Sequence, residues 1–189
     1  MIVFMLLNTD SLLKVTCKPS QNVKTWLSYP YSLTKKLKSV SGDARLEILN
    51  QCWRPSDWWD NYALLIHDKK VLCREIMMHS NGEPCWYART VIPEYTYQAG
   101  DHLFLRLQYE SLGEIIFDNP NIKRVLFCGY GVNQNNIEYH WIDPGLRLPA
   151  EVIWLRLSVF MLHEQFPFYL AELLMPGIER YADEHGGLS

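Results

Sequence analysis

Apolar residues alternate with polar ones, or form unbroken runs of β-prone residues, along most of this chain, and helical spacing appears in only a few short stretches. The strongest signal lies between residues 71 and 92. Two β-prone runs, 71–78 and 85–92, flank Ser80-Asn81-Gly82-Glu83. An Asn-Gly pair in that position predicts a hairpin, because both residues tolerate the positive φ that tight turns need. A second hairpin is expected from 153–162 and 168–175 around His163-Glu164-Gln165, and a third pairing from 124–129 and 137–141 across Asn133–Asn136. Residues 44–53 read as a further strand. Residues 24–40 read as helical in two pieces, separated at Tyr29-Pro30 because proline blocks continuation. The second piece opens at Ser32 and carries Leu33, Leu37 and Val40 at i, i+4 and i+7. Stretches 102–108 and 112–117 predict short helices, the latter starting at Ser111. Hairpins dominate and strands do not alternate with helices, so the expected class is α+β: one antiparallel sheet with helices on one side.

The 189 residues are 48% hydrophobic, 13% aromatic and 21% charged, which suits one domain with a sizeable core and excludes general disorder. Formal net charge is −3 and no basic block exceeds Lys35-Lys36, so no nucleic-acid footprint is visible. The greasy start, residues 2–7, has no basic residue before it and is stopped by Asn8-Thr9-Asp10. It is far shorter than the ~20 residues of a bilayer span and lacks the marks of a secretory signal. The expected plan is an N-terminal segment, 1–23, packed on a domain of residues 24–176, followed by a polar tail, 177–189. Five cysteines, an odd number without a CxxC pair, argue against a disulfide framework or a Cys-rich zinc site and predict free thiols in a reducing compartment, the cytoplasm.

Several standard sites are absent. His163-Glu164 is followed by Pro167 where a zincin helix needs histidine, and Gly129-Tyr130-Gly131 lacks the third glycine of a dinucleotide loop. What remains is charge on apolar strands. Arg74 shares a strand face with Leu72, Ile76 and Met78; Arg89 lies in the partner strand; Glu172 shares its face with Leu170 and Leu174. A lone buried charge costs several kcal/mol, so each must be paired. One reading is internal Arg–Glu pairing, which suits Glu75, Arg89 or Arg156. The other leaves Arg74 for an anionic ligand and Glu172 for a hydroxyl, with free backbone N–H groups at the helix starts Ser32-Leu33-Thr34 and Ser111-Leu112-Gly113 adding carboxylate-binding capacity.

These residues, together with Lys35-Lys36-Leu37, Arg74-Glu75-Ile76, Gly82-Glu83-Pro84, Ala88-Arg89-Thr90-Val91-Ile92-Pro93 and Ala171-Glu172-Leu173-Leu174-Met175-Pro176, form an ordered set that resembles chorismate lyase over about residues 24–176. The resemblance implies a six-stranded antiparallel sheet flanked by helices, with a buried site under helical flaps. It implies that Arg74 holds the ring carboxylate, that the main-chain amides of Leu33 and Leu112 assist, and that Glu172 meets the ring hydroxyl. The activity implied is conversion of chorismate to 4-hydroxybenzoate and pyruvate, the first step of ubiquinone biosynthesis, with no cofactor and no metal, by a monomer. One departure stands out: the family pattern Trp-x-Arg-Arg-Ser appears as Trp154-Leu155-Arg156-Leu157-Ser158, and Arg156 or Arg89 is then expected to supply the missing cation. The stretch 129–151 is longer than a compact member needs. The alternative is a non-catalytic module that senses an aromatic acid, as in GntR-type repressors of similar fold. Such repressors carry a winged-helix domain of about 60–70 residues in front, and with about 23 residues before the first matching helix the enzyme is the expected reading.

Overall fold

A computed structural model describes residues 17–67, 69–146 and 152–181. The apolar start 2–7, part of the stretch 129–151 and the end of the tail lie outside them. Among the described residues one antiparallel sheet of six strands forms the centre. In chain order these are β1 (Arg45–Arg54), β2 (Val71–Ser80), β3 (Glu83–Pro93), β4 (Ile122–Val132), β5 (Ile153–Leu162) and β6 (Phe166–Leu174), arranged β1-β2-β3-β6-β5-β4.

Both strong hairpins form. Asn81 and Gly82 take φ of 50° and 82°, and at the other turn His163 and Glu164 take 50° and 59°. The third expected pairing does not form: β4 pairs with β5, and Ile137–Trp141 is a 3-10 helix. The asparagine cluster closes on itself instead, with Asn136 N–H donating to the Asn133 carbonyl and Asn133 N–H to Asn136 Oδ1 at 3.0 Å. Glu138, just beyond, is then drawn inward to accept from Trp59 Nε1 and the Tyr130 hydroxyl.

Helices α1 (Gln21–Leu27) and α2 (Leu33–Ser41) are the two predicted pieces, broken by the Tyr29-Pro30 stretch and capped by Ser20 and Ser32. Helix α3 (Trp58–Leu64) starts with a capping box, Asp57 with Asp60, and α4 (Glu94–Ala99) follows β3; neither was evident in the sequence. Helix α5 (Asp101–Phe104) runs into the 3-10 turn Leu105–Gln108, and α6 (Leu112–Ile116) opens with a capping box between Ser111 and Glu114.

Helices cover both faces, not one. Leu33 and Leu37 of α2, Leu103 and Phe104 of α5, and Leu112, Ile115 and Ile116 of α6 pack with Leu72, Ile76, Trp86, Ala88 and Leu170 on the first face. On the second, Trp59, Ala63 and Leu64 of α3 pack with Cys73, Met77, Tyr87, Leu155, Leu157 and Tyr169. This is why β2, β3, β5 and β6 read as nearly unbroken apolar runs: both of their faces are buried. The core continues past residue 176, since Ile178 in the turn Pro176–Arg180 is fully buried.

Candidate functional site

Strand alternation puts Arg74 and Ile76 of β2, Ala88 and Thr90 of β3, and Leu170 and Glu172 of β6 on the first face, beneath the starts of α2 and α6. These residues, with Trp86, Ser32, Leu33, Thr34, Ser111, Leu112, Gly113 and Phe117, enclose a void of about 20 Å³. That is room for about one water, so a ring-sized ligand requires α2 and α6 to part.

Arg74 is 2% exposed. Its Nη2 donates to the Glu110 carbonyl at 3.0 Å, its Nε has no hydrogen-bond partner, and among the described residues no acidic side chain is paired with it. The Glu110 carboxylate is taken by Arg106. Burial alone lowers the Arg74 pKa to about 10, so the guanidinium is still charged at neutral pH. A buried cation with a half-filled shell is expensive to keep.

The two helix starts aim at the same space. Ser32 Oγ accepts from Lys35 N–H and Ser111 Oγ from Glu114 N–H. The amides of Leu33 and Leu112, at the first position of each helix, have no acceptor within their own helix. Across the void stands Glu172, 5% exposed, two strand spacings (roughly 9–10 Å) from the strand that carries Arg74. Burial pushes its carboxyl up, and the charges of Arg156 and Arg124 pull it part of the way back. Arg156 Nε lies 2.7 Å from Glu172 Oε2, an ion pair whose two atoms are not aligned for a hydrogen bond; Arg156 is paired internally, as one reading allowed, but with the carboxylate expected to be left for a hydroxyl.

Four of the six residues singled out in the sequence therefore meet at one void: Arg74, Glu172, Leu33 and Leu112. Arg156 touches Glu172 from outside it. Arg89 does not join them. It lies on the second face, its Nη2 3.0 Å from Asp57 and 3.3 Å from Asp60, with Trp141 under its guanidinium at 4.3 Å. Leu157, where the family pattern has arginine, also faces the second cluster and is fully buried there. Its identity does not reach the void. Thr90 and Trp86 line the void but were not singled out; alternation within β3 puts Trp86, Ala88 and Thr90 on one face, and only the bulged register with β2 makes that the face of Arg74.

The family model described as chorismate lyase matches residues 14–178. A Pseudoalteromonas atlantica protein named "Probable chorismate pyruvate-lyase" is 27% identical over 172 residues, covering 88% of this chain and 86% of that protein. A Thiobacillus denitrificans protein of the same name is 25% identical over 159 residues, covering 84% of each. Among solved structures, a GntR-family transcriptional regulator from Bacillus cereus superposes with a TM-score of 0.54 at 13% identity, over 77% of this chain and 99% of that one. PhnF from Mycobacterium smegmatis gives 0.54 at 17%, over 77% and 64%. At such identities these two share the fold alone.

Proposed function

Since this chain belongs to the chorismate lyase family, we propose that it cleaves chorismate to 4-hydroxybenzoate and pyruvate, supplying the aromatic acid that begins ubiquinone biosynthesis. The observation that carries this reading is Arg74: a buried cation with no acidic partner among the described residues, at a void also lined by the first residues of two helices. The ring carboxylate completes the shell of Arg74 and accepts from the Leu33 and Leu112 amides. The ring hydroxyl then points toward Glu172, whose carboxylate accepts from it.

Cleavage breaks the ether C–O bond between ring and enolpyruvyl group. The hydrogen of the hydroxyl-bearing ring carbon passes to the enolpyruvyl methylene, pyruvate leaves, and the ring becomes aromatic. Electrons balance within the substrate, and aromatisation supplies the driving force. The chain's part is to hold the ether over the ring so that the transfer runs through a six-membered cyclic transition state. Arg74 and Glu172 fix the two ends of the ring, and the closed helices exclude water. Glu172, already paired with Arg156, acts by orienting the hydroxyl and not by abstracting the proton.

The product keeps both groups that the site grips, and the helices must part again to free it. Slow release and inhibition by 4-hydroxybenzoate follow. The test is incubation of the purified chain with chorismate, with pyruvate measured and the aromatic product identified by mass and retention time. Pyruvate above the spontaneous background together with 4-hydroxybenzoate is expected. Tight binding of an aromatic acid without pyruvate would replace the lyase with a sensing module.

A further inference from the structure

Arg156 is not used by the cleavage as described, yet it is one of the most deeply buried charges in the chain, 1% exposed. It reaches three groups at once. Nε faces Glu172 at 2.7 Å, Nη1 donates to the Trp26 carbonyl at 3.4 Å, and Nη2 donates to the Tyr31 carbonyl at 3.2 Å. Those carbonyls bracket the connection between α1 and α2: Trp26 belongs to α1, and Tyr31 immediately precedes the Ser32 cap. A second arginine holds the same connection. Arg124 of β4 donates to the Pro30 carbonyl and lies against the rings of Phe117, just after α6, and Phe127. The strand pair β4–β5 thus grips the segment that decides where α2 sits.

We propose that Arg156 is a positioning residue that links the placement of α2 to Glu172, orienting the carboxylate for the substrate hydroxyl only while α2 is closed over the void. This rests on the reading of the void as the chorismate site. When α2 lifts, the Tyr31 carbonyl moves with it, and the guanidinium loses the anchor that fixes it against Glu172. Closure then assembles the site as well as sealing it, so an open site holds its ligand's hydroxyl poorly.

The charged and titratable groups around the pair are Arg74 of β2 across the void, Arg124 of β4, and Tyr29 in the connection. Burial pushes the Glu172 carboxyl up and Arg156 is the first of the charges opposing it. Removing Arg156 sends it higher still. If the ionised carboxylate is required, the acid limb of the pH–rate profile moves to higher pH.

The test uses the full chain with Arg156→Gln, Arg156→Lys and Glu172→Gln. The readouts are the pH profile of kcat, the release rate of 4-hydroxybenzoate, and backbone hydrogen exchange over residues 28–34. Arg156→Gln is expected to move the acid limb up by about one pH unit or more, to speed product release several-fold, and to raise exchange over 28–34. Arg156→Lys restores the charge, and with it much of the acid limb, but one ammonium does not span both carbonyls, so exchange stays raised. Glu172→Gln is expected to raise exchange over the same residues, a response no merely local role of Glu172 would give. An unmoved acid limb and unchanged exchange in Arg156→Gln would overturn the link. Should the Arg156 variants fail to fold, unchanged exchange over 28–34 in Glu172→Gln overturns it alone. A wild-type chain that neither cleaves chorismate nor binds 4-hydroxybenzoate defeats the proposed function instead, and the exchange readout still reports on the link because it needs no ligand.

Discussion

On the second face of the sheet Arg89 meets Asp57 and Asp60, and Asp60 also takes Arg54 at 2.7 Å and the Tyr169 hydroxyl at 2.7 Å. On the first face, one strand away, Arg74 has a single carbonyl. The two arginines are buried to nearly the same degree, 5% and 2% exposed. Their surroundings move them in opposite directions. Burial opposes the charge of both, but around Arg89 the neighbouring ionisable groups, Asp60 among them, outweigh it and push the guanidinium up, whereas among the described residues Arg74 has no such charge to offset burial and is pulled down to about 10. A chain that folds two acids around one arginine can do so for the other. Leaving Arg74 open costs stability, a cost that the anionic substrate proposed for this void would recover on binding.

Exchanging the two roles gives the largest effects. Arg74→Ala is expected to lower kcat/KM by about 3–5 kcal/mol, because the substrate carboxylate is left without its counter-charge. Its melting temperature should hold or rise, since a poorly compensated cation is gone. Arg89→Ala should do the reverse: about 1–3 kcal/mol of stability lost, because Asp57 and Asp60 lose one of their two cations while Arg54 and the Tyr169 hydroxyl still hold Asp60, with kcat per folded molecule close to wild type. Chemical denaturation and single-substrate kinetics on both variants check this. Equal stability losses in the two would erase the distinction between the faces.

Leu157→Arg tests the same contrast from the family's side. The substitution restores the missing arginine, yet position 157 lies on the second face, opposite Cys128 and Ala171, and is fully buried. Packed into a fully buried apolar cluster, the new charge should cost ~3 kcal/mol or more of stability and should not improve KM. A lowered KM would mean that position 157 reaches the substrate after all.

Why Arg89 looked like a site residue is itself physical. Counting back from the Asn81-Gly82 turn in ideal register sets Arg74 opposite Arg89, on one face. The structure has a bulge at Cys85: Met78 pairs with Trp86 while His79 pairs with Pro84. The extra residue slides the pairing to Arg74 with Thr90 and Glu75 with Arg89, and turns Arg89 over. Nothing local in Pro84-Cys85-Trp86 announces that bulge. The Arg74 and Glu172 faces were legible because neither needed a register across strands, only alternation within one strand. The asparagine turn misled for a related reason: β4 finds its partner in β5, beyond the 3-10 turns that follow it, and proximity along the chain favours the wrong one. Helix α3, seven residues with adjacent tryptophans, is too short to show a period.

The smallest expected effect comes from the seam between the two helices over the void. A Cβ added at Gly113 would sit 2.7 Å from Ser32 Oγ and 3.3 Å from Ser32 Cβ, closer than the seam tolerates. Either α6 backs away from α2, or Ser32 turns and gives up the Lys35 amide that it caps. Each costs about 1 kcal/mol, and the better helix propensity of alanine offsets part of it, so Gly113→Ala should melt near the wild type. Its consequence falls on the ligand. Helices held slightly apart bind the closed form less well, so 4-hydroxybenzoate should leave several-fold faster and inhibit more weakly, while kcat/KM falls less than in Arg74→Ala. Stopped-flow release with the inhibition constant measures both. If Gly113→Ala leaves release and inhibition unchanged, the helix seam is not what holds the product, and the charged grip of Arg74 and Glu172 must account for retention alone.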